Sequence, residues 1–284
     1  SVILELPDNQ APLVTQTRRE DLDTPKFQGT KTNVSFDSTN NNLNLAGGGN
    51  FDDITDFDTV GSLDDFGGIV PEGSYDFGGT AGGDTLDLGG VFSLDLKRHF
   101  LTEGFYPSDL FDSRGLIDDI TDFDGATATE VNAEMLVRVT QDDPSGSPTY
   151  TDFQTFANGT YKGRGFQFRA KLTSNDTAQD IRVSQLGYTA SLQRRTEQGN
   201  VIASGAGAKA VTFTNPFFVG TSSLLGANSN LPSVGINAQN MASGDYFEVS
   251  SISGTGFTVH FKNSSNASID RNFTYQAVGF GKGG

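Results

Sequence analysis

The chain has 284 residues, of which 35% are apolar and 19% charged, with 35 glycines, 23 phenylalanines, no tryptophan and no cysteine. Its formal net charge of −16 repels phosphate and anionic headgroups, which argues against a nucleic-acid partner or a bare membrane surface. The lack of cysteine removes disulfides, thiolate metal sites and a cysteine nucleophile, and no apolar run approaches the ~18 residues of a membrane-spanning helix.

At roughly 100–200 residues per domain the length suits two domains. Abundant Gly, Asn, Ser and Thr favour short strands joined by many turns. Residues 1–40 have no sustained period and are interrupted by Pro7 and Pro12, so they read as an extended N-terminal arm that becomes structured near Val34-Ser35-Phe36. A short strand is predicted at Leu43-Asn44-Leu45. The segment Asp52-Asp53-Ile54-Thr55-Asp56-Phe57-Asp58 recurs 66 residues later as Asp118-Asp119-Ile120-Thr121-Asp122-Phe123-Asp124. Two copies are too few for a solenoid and suit two similar loops or edges. Between them Leu86, Leu88, Phe92, Leu94 and Leu96 predict strands broken at Gly89-Gly90.

Residues 131–193 carry the clearest period-two alternation. Met135, Val137 and Val139 mark one strand face. Phe166-Gln167-Phe168-Arg169-Ala170-Lys171-Leu172 alternates strictly, Ile181 and Val183 form a short strand, and Leu186, Tyr188, Ala190 and Leu192 alternate again. Residues 199–207 are small and read as a linker. Beyond it Val211 and Phe213, then Phe247 and Val249, then Phe257, Val259 and Phe261, then Phe273 and Tyr275 predict a sandwich of seven or eight strands.

Charge is segregated. Residues 51–124 hold 18 acidic and 3 basic side chains, whereas 162–195 hold 7 basic and 2 acidic ones. The two regions are natural partners, within one subunit or between neighbours.

Catalytic chemistry finds little support. The only histidines, His99 and His260, fall in different predicted domains. His260 faces away from the apolar side of Val259 and Phe261, and His99 reads as a strand-end or loop residue. A Ser-His-Asp triad therefore has few ways to assemble, and a zinc site lacks ligands. Carboxylates are numerous enough for a glycosidase pair by chance alone. Asp56, Asp58, Asp122 and Asp124 form hard-oxygen clusters of the kind calcium takes, but without EF-hand spacing, and a solvated acidic turn accounts for them. No glycine-rich phosphate loop precedes a helix.

Two segments carry a resemblance. Val137-Arg138-Val139-Thr140-Gln141-Asp142-Asp143-Pro144, followed by Tyr150-Thr151-Asp152-Phe153, Tyr161 and Arg164-Gly165-Phe166-Gln167-Phe168-Arg169, resembles a domain near the distal end of phage tail host-specificity proteins, the central-fibre or tail-tip proteins of lambda-like tails. Tyr150 and Phe153 stand where that pattern has tryptophans. Val211-Thr212-Phe213 through Phe217-Phe218, Gly244-Asp245-Tyr246-Phe247, Gly256 through Phe261 and Arg271 through Gly281 are similar to the C-terminal, lectin-like module of such proteins. The resemblance spans about residues 85–281 and consists of core positions, so no catalytic or binding residue carries over from it.

It implies an all-β protein of two β-sandwich modules of jelly-roll or lectin type behind the arm: 1–40 arm, 41–198 a carbohydrate-binding-module-like sandwich, 199–207 linker, and 208–284 a smaller sandwich. It further implies a non-catalytic, cofactor-free protein of the virion tail, outside the cell. Such a protein is a homotrimer beside other tail proteins and attaches to a host surface glycan or outer-membrane receptor. A purely structural spacer and a glycan-cleaving tail enzyme are the alternatives. If the chain binds glycan, aromatic faces would stack on sugar rings and amides would bond hydroxyls. Tyr106, Tyr150 and Phe153 in loops, and Asn263 and Asn266 in a turn, are the candidate residues.

Overall fold

The computed structural model describes residues 14–47, 68–78, 84–107, 128–221 and 228–283. Among these the chain is all-β, with no helix. In chain order the strands are β1 (Val14–Arg19), β2 (Thr30–Thr32), β3 (Val34–Asp37), β4 (Asn42–Leu45), β5 (Glu72–Asp76), β6 (Leu86–Phe105), β7 (Val131–Thr140), β8 (Gln154–Thr155), β9 (Gly159–Ser174) and β10 (Asp180–Leu192). They continue as β11 (Arg194–Ala203), β12 (Lys209–Thr212), β13 (Ser233–Ala238), β14 (Tyr246–Ser250), β15 (Gly256–Lys262), β16 (Asn272–Phe280) and β17 (Lys282–Gly283).

Strands β1–β10 and β17 form one antiparallel sheet of eleven strands, with the central order β2-β5-β9-β6-β10-β4-β3. The sheet curls into a nearly closed, barrel-like form around a single apolar cluster. β9 is the hub: one edge pairs with β7, the other with β6 and then β5. Its strict alternation buries Phe166, Phe168, Ala170 and Leu172 and leaves Gln167, Arg169 and Lys171 outward, as period two requires. Much of the phenylalanine content is spent here. Phe168 stacks on Tyr188 at 4.2 Å between ring centroids, and Phe77 and Phe156 pack around it at 5.7 and 5.4 Å.

Phase changes in the apolar pattern become bulges. On β10 the buried positions switch from Ile181 and Val183 to Leu186, Tyr188, Ala190 and Leu192, and the register against β6 shifts between Val183 and Gln185. On β6 the predicted break at Gly89-Gly90 is instead a bulge inside one continuous strand, with the register against β9 shifting between Asp87 and Phe92. Gly89 there has φ +71°, and the Asp87 carboxylate accepts its N–H at 2.8 Å.

The remaining strands make two three-stranded sheets, β11-β16-β13 and β12-β15-β14, which share a second apolar cluster of Val211, Phe213, Phe217, Phe257, Val259, Phe261, Phe273, Tyr275 and Ala277. Among the described residues these are six strands, where turn spacing predicts seven or eight.

Two expected boundaries shift. Within the predicted arm, Val14–Arg19 pairs along its whole length with residues 187–192 of β10, from Val14 opposite Leu192 to Arg19 opposite Gly187. Residues 199–203 of the predicted linker are the second half of β11, which pairs with β16. The acidic repeat at 52–58 and 118–124 lies outside the described residues.

The two units are joined by more than a crossing strand. Gly281 N–H donates to the Gln193 carbonyl at 3.0 Å, β17 pairs with Phe92 and Ser93 of β6, and Phe218 enters the first cluster edge-on to Phe92. Arg195 ties the joint. Its guanidinium donates to the carbonyls of Gly281, Asn215 and Pro216, lies 3.7 Å from the Phe217 ring centroid, and pairs with Glu197.

Candidate functional site

Tyr150 and Phe153 lie in the connection from β7 to β8, which folds over the outer face of β7 and β9. Arg138 of β7 sits 4.8 Å from the Tyr150 ring centroid and 4.7 Å from that of Phe153, and Arg169 of β9 sits 4.3 Å from Phe153. Arg169 is in turn held by Asp76 in a two-pronged ion pair at 2.6 and 2.9 Å. The two aromatics are thus rungs of a cation–π ladder that fastens the loop to the sheet. Tyr106 follows the end of β6, half-buried, and is not brought near them.

Asn263 and Asn266 shape the turn after β15. Asn263 Oδ1 accepts from the N–H groups of Ser265 and Ala267 at 3.0 and 2.9 Å, and Asn266 adopts φ +62° while its Oδ1 accepts from the Tyr246 hydroxyl at 2.5 Å. The five predicted residues therefore fall in three separate places. His99 lies within β6 rather than at a strand end, with Nε2 2.8 Å from the Thr189 hydroxyl, and burial followed by the nearby Arg19 and Lys97 pulls its pKa down. His260 contacts the Ser268 hydroxyl at 2.8 Å.

Two grooves remain. A smaller one, about 210 Å³, crosses β9, β6 and β10 at Thr160, Asp95 and Ser191. Its polar groups are already engaged: Thr160 and Gln193 donate to Asp95 at 2.6 and 2.9 Å, and Ser191 contacts Thr15 at 3.3 Å.

The larger groove, about 450 Å³, lies across β11-β16-β13. Its position follows from register. Gln198, Gln276 and Gly235 stand side by side across the three strands, and Thr274 stands opposite Asn237 one step along. Alternation sends their neighbours Tyr275 and Ala277 into the second core and these residues outward. Gly235 leaves a notch beside Gln276, where an added Cβ would come no nearer than 3.9 Å to any heavy atom. The lining side chains are all uncharged: Gln198, Ile236, Asn237, Thr274, Tyr275 and Gln276. Among the described residues, the amides of Gln198, Asn237 and Gln276 and the Thr274 hydroxyl hydrogen-bond to nothing else in the chain, which leaves donors and acceptors facing solvent.

Sequence reasoning missed this groove because β11 carries weak apolar alternation, and because the alternation of Val234, Ile236 and Ala238 in β13 does not say which strand stands beside it. The one available signal is a cluster of amides, Gln198, Asn237 and Gln276, at outward positions of period-two strands.

Among the described residues no cluster of three or more His, Asp or Glu side chains could hold a metal. The calcium candidates Asp56, Asp58, Asp122 and Asp124 lie outside the described residues. Glu197, beneath the joint, is pushed up by burial but more than compensated by N–H groups of Thr214 and Asn215, Arg195 and the Tyr275 hydroxyl, so its pKa falls below the usual carboxylate range. No family model matches the chain, and neither a curated protein nor a solved structure resembles it.

Proposed function

We propose that the chain is a non-catalytic recognition module of a bacteriophage tail, a distal central-fibre or tail-tip protein that attaches the virion to a host surface glycan or outer-membrane receptor. In this reading its two units act as β-sandwich-type modules, and the protein works outside the cell as a homotrimer beside other tail proteins. The observation that carries the recognition role is the groove on β11-β16-β13, whose free amides and hydroxyl sit on an open face with room for a ligand. The phage assignment rests on the sequence resemblance.

The test is binding of the labelled chain to a panel of intact bacteria. Gly235→Leu fills the groove at a position that accepts a side chain, so it is expected to cut cell binding at least tenfold while leaving thermal unfolding unchanged. Phe153→Ala, on the ladder, is expected to leave cell binding intact. Tight association with other tail proteins without cell binding would favour the structural-spacer reading. Release of reducing sugar from surface polysaccharide would favour the enzyme.

A further inference from the structure

We infer that the groove across β11-β16-β13 takes a neutral, polyhydroxylated ligand, a disaccharide-length stretch of uncharged glycan, with Gln276 as its central contact. This rests on the recognition reading above and narrows it to a ligand class.

The chemistry of the lining decides the class. An amide offers both donors and an acceptor, and a threonine hydroxyl offers both as well. A sugar hydroxyl also plays both roles, so each group in the groove can be satisfied whichever way the hydroxyl turns. A carboxylate, sulfate or phosphate ligand would ask for cations, and no Lys or Arg lines the groove. The field of a chain carrying −16 opposes such anions further. A peptide ligand docking through apolar anchors would need an exposed hydrophobic pocket. Here Tyr275 is turned into the core, with 7% of its surface exposed.

Geometry sets the size and the central residue. Gln198, Gln276 and Gly235 span two strand spacings, roughly 10 Å, the length of a disaccharide. Gln276 stands on the middle strand, and the bare Gly235 exposes its flank. Gln198 borders it on the other side, and Asn237 with Thr274 forms the next row. No exposed aromatic lies in the groove to stack on a sugar face, so binding relies on hydrogen bonds exchanged with water and is weak for one site. Several copies on one particle would then supply the avidity.

The experiment is a titration of the full chain, followed by amide side-chain NMR signals, with maltose, cellobiose, lactose and mannobiose on one arm and digalacturonate and inorganic phosphate on the other. The expected result is a shift of the Gln198, Asn237 and Gln276 side-chain signals with a neutral disaccharide. Its affinity should be unchanged when salt is raised about tenfold. Gln276→Ala is expected to weaken it at least tenfold and Gly235→Leu to abolish it. Phe153→Ala, outside the groove lining, is expected to retain binding, and wild-type thermal unfolding of Gly235→Leu serves as the folding control. Absence of any neutral-sugar shift, or salt-sensitive binding of digalacturonate or phosphate, overturns the inference. If Gly235→Leu removes cell binding while neutral disaccharides shift nothing, the attachment reading stands and the ligand class falls. If a neutral disaccharide binds and no bacterium does, the ligand class stands and the attachment reading falls.

Discussion

Asp180 shows how a single buried side chain sets a pH dependence. Its carboxylate is 3% exposed at the start of β10, where burial raises its pKa from 3.8 to about 6, against the pull of N–H bonds from Ile181 and Leu45. The folded state therefore holds a proton that the unfolded chain has released between about pH 4 and 6. Its stabilising contribution is complete below pH 4 and is lost as pH rises through 6. Asparagine keeps the acceptor oxygen without the charge. Denaturant unfolding is expected to show Asp180→Asn gaining on the wild type by about 2 kcal/mol between pH 4 and 7. Tyr75 is a second such residue: its buried hydroxyl donates to Glu20, itself 1% exposed, and accepts the Gly29 N–H at 2.7 Å. Tyr75→Phe leaves Glu20 Oε2 and the Gly29 N–H without that partner, Arg18 still holding Glu20 Oε1, and is expected to cost about 1–3 kcal/mol in the same measurement. Neither role is visible in sequence, where Tyr75 and Asp180 look like ordinary strand and turn residues. Tyr150 and Phe153 illustrate the converse. Their loop position is legible, but the guanidinium groups that occupy them arrive from β7 and β9, and only folding brings those strands alongside.

At the scale of elements, alternation read from side chains located β7, β9, β10, β12, β14, β15 and β16, because one face of each is apolar and the other polar. The phase change in β10 is legible too, since Ile181 and Val183 are odd-numbered and the later buried positions are even, but it reads as a separate short strand where the structure has a bulge in one continuous strand. Deleting Ser184, which lies at that register shift, would remove the extra residue and bring Ile181 and Val183 into one inward phase with Leu186 and Tyr188. Leu186→Ala, which empties a fully buried position just past the bulge, is expected to lose about 2–5 kcal/mol in thermal unfolding. β1 and β11 were missed for a common reason. β1 reads Val-Thr-Gln-Thr-Arg-Arg, and half-buried positions on β11 are held by Arg195, Glu197 and Gly199. These two strands are kept in place by partners and by polar clamps, so no apolar stripe marks them, whereas β13 does alternate Val234, Ile236 and Ala238 against the second core.

Over the whole molecule, the segregated charge folds back on itself. Asp87 pairs with Arg164, Asp76 with Arg169, Glu72 with Lys171 and Glu103 with Arg182, so acidic and basic regions meet within one chain. Part-exposed pairs of this kind contribute about 0–1 kcal/mol each and serve register more than stability. The joint is another matter. Arg195 has 18% of its side-chain surface exposed and its partner Glu197 10%, so Arg195→Ala leaves a largely buried carboxylate without its counter-charge and three carbonyls without their guanidinium donor. Calorimetry is expected to show a loss of about 3 kcal/mol and an uncoupling of one transition into two.

The sequence by itself determined that the chain is all-β, which strands carry the two cores, and that acidic and basic stretches would pair, since side-chain period and charge are local properties. Tertiary structure alone decided the nearly closed sheet, the clamped joint and the amide groove. Each depends on register between strands far apart in sequence, as where Gln198, Gly235 and Gln276 meet, and no local pattern encodes which distant residues will stand side by side.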